Sequence, residues 1–125
     1  MSKTPKILVV DDDAELVQVM SNTLRSKLYD VVVAYNGKEG LEKAKKERPD
    51  LILLDIMMPV QDGFGAAEGF KKDEALSKIP IVAITSFSES MGQPFDYQFD
   101  EYINKPIRAK DLLNVVAKYL KKEPE

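Results

Sequence analysis

Four short stretches end in residues that can do chemistry. They are Val9-Val10-Asp11-Asp12, Leu53-Leu54-Asp55, Ile84-Thr85, and Ile103-Asn104-Lys105. Three carboxylates at one place repel: a pair about 4 Å apart costs roughly 4 kcal/mol at an effective dielectric of 20. A counter-charge must offset this. Lys105 supplies one. A Mg²⁺ ion is the natural second, because it takes oxygen ligands and accepts one or two carboxylates together with phosphate oxygens and water. A carboxylate can also act as a nucleophile and become an acyl phosphate. Phosphoryl transfer to an aspartate is therefore the chemistry this set suggests. Each member alone has a plainer reading: a turn or cap for an aspartate, a strand residue for Thr85, a solvated lysine for Lys105, a core aromatic for Tyr102.

The chemistry needs a scaffold that brings the four ends together. Leu51-Ile52-Leu53-Leu54 runs apolar into Asp55, and Pro59 halts continuation, so the run reads as a strand buried on both faces. Lys6 to Val10 is a similar first strand, and Val31 to Ala34 is a β-branched second. Ile79 to Thr85 makes a fourth, and Glu101 to Asn104 a short fifth. Between the first two, Leu16, Val17, Met20, Leu24 and Leu28 fall at helical spacing, with Asp13 as the expected N-cap. Asn36-Gly37 breaks the second strand. A helix over residues 38–47 follows, with Leu41 and Ala44 inward, and Arg48-Pro49-Asp50 ends it. Gln61-Asp62-Gly63 reads as a turn, and Phe64 to Lys72 as a weak helix diluted by Gly65 and Gly69. The last helix, about Arg108 to Lys121, carries Leu112, Leu113, Val116 and Leu120 on one face. Alternation of strand and helix implies an α/β fold, a parallel sheet with helices on both faces. In such a sheet all the carboxyl ends of the strands share one edge, where ligands bind.

Composition removes other classes. The 125 residues, 44% of them apolar, suit one domain, read here as residues 1–125. With no cysteine and no histidine, disulfides, thiolate chemistry, Ser-His triads and imidazole acid–base catalysis are excluded. A net charge of -3 gives no electrostatic case for direct nucleic-acid binding. No apolar run approaches a membrane span and no signal-peptide core is present, so a cytoplasmic protein without membrane insertion is expected. A dinucleotide site would need Gly-x-Gly-x-x-Gly after a strand, where Val10 is followed by aspartates. A flavodoxin-type site would want a hydroxyl-rich loop there. A haloacid-dehalogenase-type phosphatase would want a second aspartate at position 57, which holds Met57.

The motifs Val9-Val10-Asp11-Asp12, Leu54-Asp55-Ile56-Met57-Met58-Pro59 with Asp62-Gly63, Ile84-Thr85-Ser86 and Tyr102-Ile103-Asn104-Lys105-Pro106 resemble the receiver domain of two-component response regulators. The resemblance covers nearly the whole chain, and the length is that of single-domain chemotaxis and cell-cycle regulators. It implies a doubly wound, five-stranded parallel sheet of flavodoxin-like order 2-1-3-4-5. It implies that Asp55 is the phosphoacceptor, that Asp11, Asp12, Asp55 and the backbone carbonyl of Met57 hold Mg²⁺, and that Thr85 and Lys105 engage the phosphoryl group. Thr85 and Tyr102 would form the switch, and the Lys105–Pro106 bond would be cis. The donor would be a histidine kinase or histidine phosphotransfer protein. The chain would act as a signalling switch or phosphorelay carrier rather than an enzyme, through a protein partner docked around residues 86–108. A pseudo-receiver, keeping the fold and dropping the chemistry, would be expected to have lost the acceptor, the acid pair or the lysine; all are present.

The resemblance departs over residues 86–100. A regular fourth helix is usual there, yet the chain has Gly92, Pro94 and four aromatics, Phe87, Phe95, Tyr97 and Phe99. An atypical or shortened fourth helix is expected, its aromatics either refilling the core or, if Phe95 and Tyr97 are exposed, altering the docking surface. Met57 and Phe87, two residues past the acceptor and the threonine, are apolar and cannot orient an attacking water. Receiver domains vary in dephosphorylation rate with these two positions, so the resemblance implies a comparatively long-lived phosphoryl group, which Met57→Asn should shorten.

Overall fold

A computed structural model describes residues 4–55, 63–85 and 99–120. Five strands, β1 (Lys6–Val10), β2 (Asp30–Ala34), β3 (Leu51–Asp55), β4 (Ile81–Thr85) and β5 (Glu101–Asn104), form one sheet. All pairs are parallel and the order is β2-β1-β3-β4-β5, the expected architecture. Around it lie helices α1 (Ala14–Ser26), α2 (Gly37–Glu47), α3 (Gly63–Lys72) and α4 (Ala109–Leu120). The expected shortened helix, with Phe87, Phe95 and Tyr97, falls within residues 86–98, outside the described residues, as does Met57.

Strand periodicity divides the core into two layers. Leu8, Val10, Ile52, Leu54, Ile81 and Ala83 pack with Ala44 of α2 and Phe70 of α3. Ile7, Val9, Leu51, Leu53, Val82 and Ile84 pack with Val17, Met20 and Leu24 of α1 and Leu112 and Val116 of α4. Residues Leu51 to Leu54 are wholly inaccessible to solvent, which explains the unbroken apolar run at β3. Burying each leucine contributes about 1.5–3 kcal/mol. β1 leads outward to β2, and β3 leads the other way to β4. The sheet therefore reverses direction between β1 and β3, and a cleft opens beyond their carboxyl ends.

The helix ends follow local chemistry. Asp13 caps α1, its Oδ1 accepting from the Glu15 and Leu16 N–H groups at 3.1 and 3.2 Å. Asn36 caps α2 by accepting from Glu39 N–H at 2.8 Å. Arg48, in the left-handed region at φ 49°, closes α2 just before Pro49. β4 starts at Ile81 rather than Ile79, with Pro80 before it.

Leu28 corrects the sequence reading. Its spacing continues the apolar stripe of α1, yet it is 76% exposed. The helix stops at Ser26 in a Schellman motif: Tyr29 N–H donates to Leu24 C=O at 3.3 Å and Leu28 N–H to Arg25 C=O at 2.9 Å. That motif needs a left-handed residue, and Leu28 supplies it at φ 69°. A Cβ-bearing residue there costs roughly 1–2 kcal/mol, offset in part by the greater unfolded-state entropy of glycine. Leu28→Gly should therefore stabilise the fold by about 1 kcal/mol, a rise of roughly 3 °C in Tm. A lowered Tm would show that the leucine makes contacts worth more than its strain.

Candidate functional site

Strand register sets the site. Val10 pairs with Leu54, so Asp11 and Asp55 stand side by side at the reversal point. Asp55 pairs with Ile84, one residue before Thr85, and Thr85 pairs with Asn104, one residue before Lys105. Backbone bonds extend the ladder past the strand ends: Asp11 N–H donates to Ala34 C=O at 3.1 Å, and Lys105 N–H to Thr85 C=O at 2.8 Å. The Lys105–Pro106 bond is cis, as the resemblance implied.

One carboxylate oxygen from each of Asp11, Asp12 and Asp55 lies within 4.8 Å of the others. Asp11 and Asp55 are buried and Asp12 is exposed. Lys105 Nζ sits 3.4 Å from Asp11 Oδ2 and 3.4 Å from Asp55 Oδ2, bridging both. Asp11 Oδ1 accepts from Asp13 N–H at 2.9 Å, whereas buried Asp11 Oδ2 has the ion pair and no aligned hydrogen bond. Desolvation pushes the Asp11 carboxyl up to about 7; the Asp13 N–H bond and Lys105 oppose this, and the neighbouring Asp55 adds to it. Desolvation lowers the Lys105 ammonium, but the two carboxylates outweigh it and hold the group above its ordinary value.

Such a donor set fits a hard divalent cation. All the ligand atoms are oxygens, the carboxylates are crowded at one edge, and among the described residues the buried Asp11 Oδ2 meets only the Lys105 ammonium, with no aligned hydrogen bond. Asp13, by contrast, serves α1 as its cap, as expected.

Thr85 is buried at the end of β4. Two residues before it, Ala83 lies opposite Tyr102 on β5. Ala83 and Tyr102 belong to the α2/α3 side of the sheet, so Thr85 follows the same side by strand alternation. Tyr102 is half-buried and meets Phe99 edge-on, with ring centroids 6.0 Å apart and planes at 66°. Asp11, Asp12, Asp55, Thr85 and Lys105 thus gather at one sheet edge, and Tyr102 lies beneath Thr85 on the neighbouring strand. The sequence marks Lys105 as a counter-charge; it carries no signal that one ammonium bridges both buried carboxylates.

Comparison with known proteins agrees with this geometry. The family model of the response regulator receiver domain matches residues 7–117. The DNA-binding dual master transcriptional regulator RpaA of Synechocystis is 34% identical over 120 residues, covering 94% of this chain and 50% of that protein. The chain spans about half the length of the curated relatives it matches. The chemotaxis response regulator CheY4 of Vibrio cholerae superposes with a TM-score of 0.88 at 31% identity, covering 94% of this chain and 100% of that one. The receiver domain of a Pseudomonas aeruginosa sensor histidine kinase, with a magnesium ion coordinated in its active-site cleft, superposes at 0.86 with 25% identity, covering 96% and 100%. Among the described residues no helix is long and apolar enough to cross a membrane. With a matching family model over most of its length and an acidic strand-end cluster to go with it, the chain belongs to the response regulator receiver domain family of two-component signal transduction.

Proposed function

We propose that the chain, as one receiver domain over residues 1–125, is a phosphorylation-controlled switch whose phosphoacceptor is Asp55. The observation that carries this is the bridge of Lys105 between the buried Asp11 and Asp55 carboxylates at one sheet edge. The donor is a phosphohistidine on a histidine kinase or phosphotransfer protein, since the chain has no histidine of its own. An Asp55 Oδ–P bond forms as the donor N–P bond breaks, and the electron pair leaves with the imidazole nitrogen. Asp11, Asp12 and Asp55, with the Met57 carbonyl, would hold Mg²⁺. Bound there, the ion screens the carboxylates and the phosphoryl oxygens from each other.

The remaining residues read the new charge. Phosphorylation adds about -1.5 to -2 charge and fresh acceptor oxygens. Lys105 then pairs with the phosphoryl group, and the Thr85 hydroxyl donates to it. Tyr102 lies on the same side of the sheet as Thr85, so movement of the threonine changes the space its ring occupies. Moving such a two-state element from 1:99 to 99:1 takes roughly 5.5 kcal/mol of differential interaction, within reach of two or three charge-assisted hydrogen bonds. The readout is a protein partner docked around residues 86–108. Relay of the phosphoryl group to a phosphotransfer histidine uses the same residues in reverse. Apolar Met57 and Phe87 leave the phosphoryl group long-lived. The DNA-binding activity named for RpaA belongs to that longer protein.

The test is intact mass after incubation with Mg²⁺ and acetyl phosphate. The wild type should gain one phosphoryl group and Asp55→Ala none. An equal gain in both, or none in the wild type, would remove Asp55 from this role.

A further inference from the structure

β2 is the edge strand beside β1, and its outer hydrogen-bonding groups do not face open solvent alone. Asp30 N–H donates to Pro5 C=O, and Ala34 C=O accepts from Asp11 N–H, so Asp30, Val32 and Ala34 turn their backbone toward β1. Val31, Val33 and Tyr35 therefore turn theirs outward. Three of those outward groups are taken by side chains. Lys43 Nζ donates to Val33 C=O at 2.6 Å, Arg25 donates to Val31 C=O at 3.5 Å, and Glu39 Oε1 accepts from Tyr35 N–H at 2.7 Å. Lys43 and Glu39 are themselves paired at 3.3 Å, one helical turn apart on α2. Arg25 comes from α1, so both helices flanking the edge contribute.

We propose that this set is an edge guard, and that the partner it excludes is a second copy of the chain, paired through β2. Unpaired strand edges are templates for another strand, and lysines placed on them are a known defence. The geometry selects the second copy. Two β2 strands related by a two-fold axis through Val32 would run antiparallel, each Val31 opposite the other's Val33. Each such pair exchanges two N–H···O=C bonds, and the carbonyls they require are those of Val31 and Val33. These are the two that Arg25 and Lys43 occupy. The run Val31-Val32-Val33 is β-branched and half-buried, which suits strand pairing. Guarded, the edge keeps the chain from assembling by this route.

Sedimentation equilibrium over a range of concentrations tests this, on wild type, Lys43→Met, and Arg25→Gln with Lys43→Met. Thermal melts first establish that each variant is folded, and the single variant carries the test should the double one fail to fold. The double variant should self-associate at least tenfold more tightly than wild type, and Lys43→Met less so. Adding Val33→Pro, which deletes an outward N–H, should restore wild-type behaviour. Folded variants with the wild-type concentration dependence would overturn the proposal. So would association that survives Val33→Pro.

Discussion

Asp11→Asn should stabilise the fold, and only above about pH 4. The Asp11 carboxyl is wholly buried and its folded-state value is raised from 3.8 to about 7, so the native state holds a proton that the unfolded chain releases. Between those two values the native state binds more protons, and stability falls as pH rises. Below about pH 4 the carboxyl is protonated in both states and contributes nothing. Above about pH 7 the full penalty applies, on the order of a few kcal/mol. Asparagine keeps the shape and retains an Oδ1 to accept from Asp13 N–H. It lacks the charge, so this contribution to the pH dependence should be missing from it. Urea denaturation of both proteins at pH 4, 6 and 8 measures the difference, expected near zero, intermediate and largest in turn. The difference isolates Asp11, because the other carboxylates are common to both proteins and the chain has no histidine to titrate between pH 5 and 8. Parallel curves for the two proteins would mean that Asp11 is ionised without penalty.

Mg²⁺ should offset part of the advantage that the substitution gives. A ligand that binds only the native state stabilises it in proportion to its affinity. Adding Mg²⁺ at pH 8 should raise the Tm of the wild type and leave Asp11→Asn nearly unmoved, with calorimetry showing affinity weakened roughly tenfold or more. At pH 5 the ion must displace a proton from Asp11, so the wild-type shift should shrink. Stability surrendered at a strand end for a cation site is the expected mark of a functional carboxylate rather than a structural one.

How much of this was legible beforehand depended on whether one residue or several carried the signal. β1, β3 and β4 were plain because each is buried on both faces, which leaves an apolar run and a polar stop. Parallel strands then forced Asp11, Asp55, Thr85 and Lys105 to one edge. Leu28 misled because the 3.6-residue period says nothing about where a helix stops, and a glycine that would have announced the stop is absent. The edge guard was invisible for a different reason: Glu39 and Lys43 read as an ordinary solvated pair until the register shows which carbonyl lies beneath the lysine. The double role of Lys105 also escaped, since the distance from one ammonium to two carboxylates is a product of strand pairing alone.

Lys105→Met should destabilise the metal-free protein by about 2 kcal/mol at pH 8, between the 3–5 kcal/mol of a broken buried pair and the 0–1 kcal/mol of a surface one. The lysine side chain is 26% exposed and its partners are buried, which places it between those limits. The raised ammonium value means its contribution is complete below about pH 10 and is lost only above it. The pH dependence of the variant therefore comes from Asp11. Below about pH 6 Asp11 takes up its proton, the repulsion with Asp55 fades, and the cost of losing the lysine should fall by half or more. In the Asp11→Asn background the cost should likewise fall, which a double-mutant cycle reads as a coupling of about 1 kcal/mol. An equal cost at pH 5 and pH 8, with additive single substitutions, would assign Lys105 to packing of its aliphatic stem. Coupling would instead show that the ammonium itself balances the two buried carboxylates. Mg²⁺ should then rescue Lys105→Met more than it stabilises the wild type, because the variant has more uncompensated charge for the ion to neutralise.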